Sequence, residues 1–224
     1  MAMIRIAAPI TRLSRRLAAH RGGSVLIEFA FGLPVFVGLT LAGLEAANLA
    51  LANQQISSMA RMVSDVSARG RATMDEGEIQ EIFFGAKDGA RRLNFAQRGR
   101  IILSSVQNNA AGDGQWIVWQ RCTGVRTVTS KYGATDTGKT GSTLPTIGGL
   151  DLDGTRVTPG ITAPTGNALM FVEIEYQYQP LITNLIFGEP VIRYEKGFVV
   201  RERTNFGITN TTSKPTASCT TYSA

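Results

Sequence analysis

Histidine is nearly missing from this chain. His20 is the single one, so no imidazole lies beyond residue 20. A Ser–His or Cys–His nucleophile pair cannot be built in the remainder. Cysteine is almost as scarce: Cys122 and Cys219 are too few and too far apart for a structural zinc site, which takes four ligands. No acid precedes Glu28, although five arginines do (Arg5, Arg12, Arg15, Arg16 and Arg21). Charge of either sign is absent from the 16 residues between Glu28 and Glu45.

That last absence organises the chain. Residues 25–52 are apolar enough for a helix of about 42 Å, more than the hydrocarbon core of a bilayer requires. An arginine-rich flank stays cytoplasmic, so the C-terminal part is expected outside. Pro34 does not forbid a membrane helix, because kinked spans tolerate proline. Glu28 is the exception inside the run. A carboxylate in hydrocarbon costs a few kcal/mol and marks a functional position that needs a partner.

The basic leader, then Gly23, Ser24 as a new first residue and Glu28 as the fifth, has the layout of a type IV prepilin. With Glu28-Phe29 and Leu33-Pro34 it resembles the TadE/TadF/TadG group of the Tad (tight adherence) pilus. The stretch Tyr176-Gln-Tyr-Gln-Pro-Leu181 followed by Val199-Val-Arg-Glu-Arg203 resembles the tail of the same proteins more loosely. The resemblance implies cleavage after Gly23 by a prepilin peptidase and an assembly role for Glu28 and Phe29. It implies a minor pilin or pseudopilin that works with other Tad pilins and an inner-membrane platform. The location implied is a single pass in the bacterial inner membrane, with the C-terminal domain in the periplasm or carried into the pilus.

Three other readings of the stretch remain open. A plain single-pass anchor for an extracytoplasmic binding domain explains the flank and the apolar run but not Glu28. A signal peptide finds a small-residue cleavage site at Ala50-Leu51-Ala52, yet the run is too long and is interrupted by Glu28 and Glu45. A buried soluble helix needs a polar face, which residues 29–44 lack.

The net charge of +6 invites a nucleic-acid reading, and its distribution opposes one. Five of the 23 basic residues lie in the leader; the other 18 face 17 acids, leaving +1. No basic stripe interleaved with aromatics is present. The partners expected are therefore proteins and membrane lipid, with no nucleic acid and no small-molecule substrate. Two cysteines on the outer side read as a Cys122–Cys219 disulfide.

The domain plan is a leader at 1–23, a transmembrane and stalk helix at 24–70, and an α+β domain at 71–224. In the stalk, Ile56, Met59, Val63 and Val66 recur at helical spacing. Thr73 with Glu76 predicts a capping box and a second amphipathic helix to about residue 93. Residues 101–106 and 116–122 read as a hairpin around the turn at 108–114. Residues 130–167 read as a long loop, and 169–178 as a strand with Glu173, Glu175 and Gln177 on a wet face. A short helix at 181–187 and a last strand at 198–203 complete a mainly antiparallel sheet.

Gly133-Ala-Thr-Asp-Thr-Gly-Lys-Thr140 fits the phosphate-loop pattern, but neither a preceding strand nor a good helix start accompanies it. Asp151-Leu-Asp-Gly154 opens like a calcium loop without its later ligands. Asn210-Thr-Thr212 is a glycosylation sequon with a high chance rate. No catalytic residue, metal or cofactor is assigned, and the protein reads as a peptidase substrate rather than an enzyme.

Overall fold

The computed structural model describes residues 22–70, 72–112, 114–140, 147–149, 160–182, 184 and 186–223. The basic leader up to Arg21, the segment 151–154 and the residues directly after the phosphate-loop match lie outside these. The chain divides into two units, Met1–Ala47 and Asn48–Ala224.

One helix, α1, runs over Gly22–Arg69 with Pro34 inside it. The first unit contains its described part up to Ala47. There the apolar side chains stand outward on every side, and α1 is long and apolar enough to cross a membrane.

The second unit takes α1 from Asn48. Its further elements are β1 (Met74–Asp75), α2 (Glu76–Gly89), a 3-10 turn (Arg91–Leu93), α3 (Phe95–Arg98), β2 (Gly99–Asn108), β3 (Gln115–Thr123), β4 (Leu169–Gln177), β5 (Val191–Val199) and β6 (Ile208–Thr209). β2 to β5 form one antiparallel sheet in the order β3-β2-β4-β5. β1 and β6 pair in parallel, joining chain segments that no local pattern links. The architecture is α+β: a long apolar helix and a four-stranded antiparallel sheet.

One face of the sheet packs on α1 and α2. Ile101, Leu103, Met170, Val172, Ile174 and Tyr176 meet Ala52, Ile56, Met59, Ala60, Val63, Ile79 and Phe83 in one core. β4 runs antiparallel to α1. At its start, Val200 donates its N–H to Ala168 at 2.9 Å, and Arg201 donates to Ala68 at 3.2 Å. At its far end the Asn48 amide donates to the Tyr178 hydroxyl at 2.7 Å. The lengths match: about 30 Å of helix against about 33 Å of strand. α2 has the same sense, its Gly89 carbonyl accepting from Gln55 at 2.6 Å.

Several expectations need correction. The capping box belongs to Asp75 and Glu78, not Thr73 and Glu76. Glu76 is instead buried against the Arg121 guanidinium, which donates through Nε at 2.6 Å. Val66 lies on the exposed side of α1, whereas Ile56, Met59 and Val63 are buried as their spacing implies. Residues 181, 182, 184, 186 and 187 form bends and turns, not a helix. The last long strand is β5, seven residues earlier than its expected start. Arg201 and Arg203 lie beyond it and bind α1 carbonyls instead. The wet face of β4 is not wet: Glu173 is only 3% exposed.

Candidate functional site

Gly23 and Ser24 open α1, and Glu28 follows Ser24 by four residues, one turn along the same face. Among the described residues, nothing beyond its own helix turn lies within 4 Å of a side-chain carbon placed on Gly23. Glu28 and Phe29 are exposed, amid the exposed Val25, Leu26, Ile27 and Phe31. Pro34 lacks the N–H that would reach the Ala30 carbonyl. Nearly two turns beyond it, Thr40 folds its hydroxyl back onto the Phe36 carbonyl at 2.8 Å. A continuous apolar surface of this length marks a membrane or a partner helix.

Cys122 and Cys219 are joined in a disulfide, with 4.7 Å between their Cα atoms. The bond fastens the C-terminal tail to the open edge of β3. Beside it the Cys122 N–H donates to Ala217 at 2.9 Å, and Gly124 donates to Ser223 at 2.9 Å. Arg100 completes the clasp. Its guanidinium donates to the carbonyls of Gly124, Thr221 and Cys219 at 2.7, 2.8 and 2.8 Å and lies 4.2 Å from the centre of the Tyr222 ring. Burial lowers the pKa of this arginine. Asp75 fastens the tail further back, accepting from Thr211 N at 2.6 Å and from the Thr212 hydroxyl at 2.5 Å. These bonds, with that of Gly77, hold its carboxyl well below the usual range. The Thr212 hydroxyl of the sequon is thereby occupied, and Asn210 is tied to Lys214 in both directions.

The phosphate-loop match is a brace for the sheet. The Ile117 N–H donates to Thr137 and the Asp136 N–H to Ile117, so the loop hydrogen-bonds along β3. Gly138 has a φ of +85°, and a side-chain carbon there would sit 2.1 Å from the Gln115 carbonyl oxygen. Its glycine is thus explained by a strand, with no phosphate involved. Lys139 pairs with Asp136 at 2.9 Å and lies 5.2 Å from the centre of the Trp116 ring.

Sequence reasoning missed the charged cluster on the other face of the sheet. Glu173 and Glu195 sit directly opposite in the β4–β5 register, an arrangement that repels unless bridged. Arg193 bridges them, pairing with Glu195 and standing 3.5 Å from Glu173. Glu173 accepts from the Ser130 hydroxyl at 2.5 Å and from Lys131 N at 3.2 Å; Glu195 accepts from the Tyr132 hydroxyl at 2.8 Å and from Gly149 N at 3.0 Å. Two carboxylates thus tie the long loop over the sheet. Burial pushes the Glu173 carboxyl up to about 7. No His, Cys, Asp and Glu grouping able to hold a metal ion occurs among the described residues.

The family described as TadE-like protein matches residues 23–65, the helix that begins with Gly23 and carries Glu28. No curated protein matches the chain, and no solved structure does. Over this N-terminal helix, and over that stretch alone, the chain is similar to the TadE-like family.

Proposed function

We propose that this chain is a TadE/TadG-like pseudopilin, a minor pilin that takes part in assembling a Tad-type pilus. It is a substrate of a prepilin peptidase, cut between Gly23 and Ser24, and is not an enzyme. α1 spans the bacterial inner membrane once, with the N-terminus cytoplasmic and the second unit in the periplasm. Its partners are the peptidase, other Tad pilins and pseudopilins, and the inner-membrane platform. The observation that carries this reading is a TadE-like helix, apolar and exposed all round, with Gly23-Ser24 in its first turn and Glu28 on its surface. The disulfide fits an oxidising compartment.

Cleavage would free the Ser24 amine as a positive charge at the membrane edge. Glu28 lies about 6 Å further along the axis. A helix cannot fold its own first residue back over that turn, so the amine of one subunit meets Glu28 of the next. Pairing would neutralise both charges and set the axial register between subunits.

N-terminal sequencing of the mature protein tests the cut. We expect it to begin at Ser24 in the wild type. Gly23→Leu should retain the leader, and Glu28→Ala should be cut yet fail to join its partners. A wild-type protein that begins at Met1, or normal pili from Glu28→Ala cells, would leave a plain membrane anchor in its place.

A further inference from the structure

Among its described residues, the connection between β4 and β5 exposes the large apolar side chains of Leu181 (69%), Ile182, Ile186 and Phe187. Its base is braced. The Tyr178 N–H donates to Pro190 at 3.0 Å, and Arg98 holds Glu189 at 2.6 Å and the Gln177 carbonyl at 3.0 Å. The base of the loop is therefore held in place, while Leu181, Ile182, Ile186 and Phe187 keep apolar surface in the open, where a soluble loop would carry polar side chains.

Its position names the occupant. β4 runs from the Ala68 end of the second unit to Asn48, and the loop continues from there. Asn48 is where the chain enters the second unit from the apolar segment. Leu181 is three residues past Tyr178, about 10 Å of chain at most. α2 ends at this same pole, so the turn after it brings Arg91 and Arg92 there, both exposed. Tyr176 ties that turn to the end of β4 by donating to the Leu93 carbonyl at 2.9 Å. Exposed apolar side chains at the point where a span leaves the bilayer, with Arg92 and the Asp88-paired Arg91 at the same pole, match the chemistry of the headgroup boundary.

We propose that Leu181, Ile182, Ile186 and Phe187 dip into the outer leaflet of the bilayer that α1 spans, with Arg91 and Arg92 facing anionic lipid headgroups. This rests on the membrane-spanning reading of α1. The loop then gives the second unit a further hold on the membrane.

The test uses the full chain in phosphatidylcholine vesicles with and without phosphatidylglycerol, some lipids carrying bromine on their acyl chains. Phe187→Trp and, separately, Ile186→Trp introduce an indole at the tip; Ala111→Trp, in the β2–β3 turn at the opposite pole, is the reference. Bromine should quench the tip indoles at least twofold more than the reference. Arg91→Glu with Arg92→Glu should reduce that quenching in the anionic vesicles alone. Tip indoles quenched no more than the reference, in protein that resists carbonate extraction, overturn the loop proposal while the span stands. Protein released by carbonate overturns the span itself. Shielding from aqueous iodide that scales with protein density and ignores lipid overturns the proposal in favour of contact between copies.

Discussion

Between residues 25 and 44 of α1 the large side chains face outward, Leu26 at 75% and Leu39 at 70% exposed; from Ala52 to Val63 the same helix seals Ile56 and Val63 at 0%. The backbone is alike in both stretches and only the pattern differs. The first is apolar on every side, so no orientation against a soluble core could bury it. The second has one apolar stripe, with Asn53, Gln54, Ser58 and Arg61 on other faces, and that stripe meets a sheet. The first stretch gains stability only from lipid or neighbouring helices, the second from its own chain.

Substitutions should therefore divide by position. The largest effect is expected from the tail clasp. Cys122→Ser with Cys219→Ser opens a closure of 97 residues and should cost the second unit about 4 kcal/mol. Denaturant unfolding followed through Trp119, whose indole donates to Phe206 at 2.9 Å, reads this. Membrane insertion should not change.

Ile56→Ala comes next, at about 3 kcal/mol for a buried aliphatic side chain. Leu39→Ala in the exposed stretch should leave that unfolding curve in place. Equal costs would erase the distinction between the two stretches.

Proton linkage sharpens it further. Folding raises the Glu173 pKa from 4.5 to about 7 through burial. The stabilisation of the protonated form is fully present below about pH 4.5 and is lost as the pH rises through 7. A pKa displacement of one is worth ~1.4 kcal/mol, so the loss reaches about 3 kcal/mol above pH 8. Glu173→Gln should flatten the pH dependence of the second unit by that amount.

The smallest effect belongs to Lys139→Ala, within about 0.5 kcal/mol, as for other exposed side chains. Calorimetry should find no micromolar ATP binding in either form. Binding lost on this substitution would return the phosphate-loop match to function.

The parts legible in the sequence are those written locally. The uncharged run emerges as the exposed part of α1, and the β2–β3 hairpin follows from its strand pattern and turn. The capping box slipped by two residues because Thr73-Glu76 and Asp75-Glu78 both fit the rule, and the Arg121 ion pair claimed Glu76. Glu173 read as wet because its cover comes from a loop with no periodicity of its own. β5 was hidden because Arg193-Tyr-Glu-Lys-Gly197 carries charge on both faces, Arg193 and Glu195 on one and Lys196 on the other, and takes its register from β4. Arg100 and Arg203 bind backbone carbonyls more than 100 residues away, which no side-chain spacing announces.

The clasp at β3 also fixes an order of events during synthesis. Cys219 is made 97 residues after Cys122, and the carbonyls that Arg100 holds arrive with it. At ribosomal speeds of about 5–20 residues per second that is a lag of about 5–20 seconds. The hairpin has its local partners throughout that interval, while the outer edge of β3 lacks the tail. A bare strand edge is a template for pairing with another chain. The nascent domain thus passes through a window in which Cys122 is a free thiol beside the part of that edge which only the tail covers, and it closes when the tail arrives.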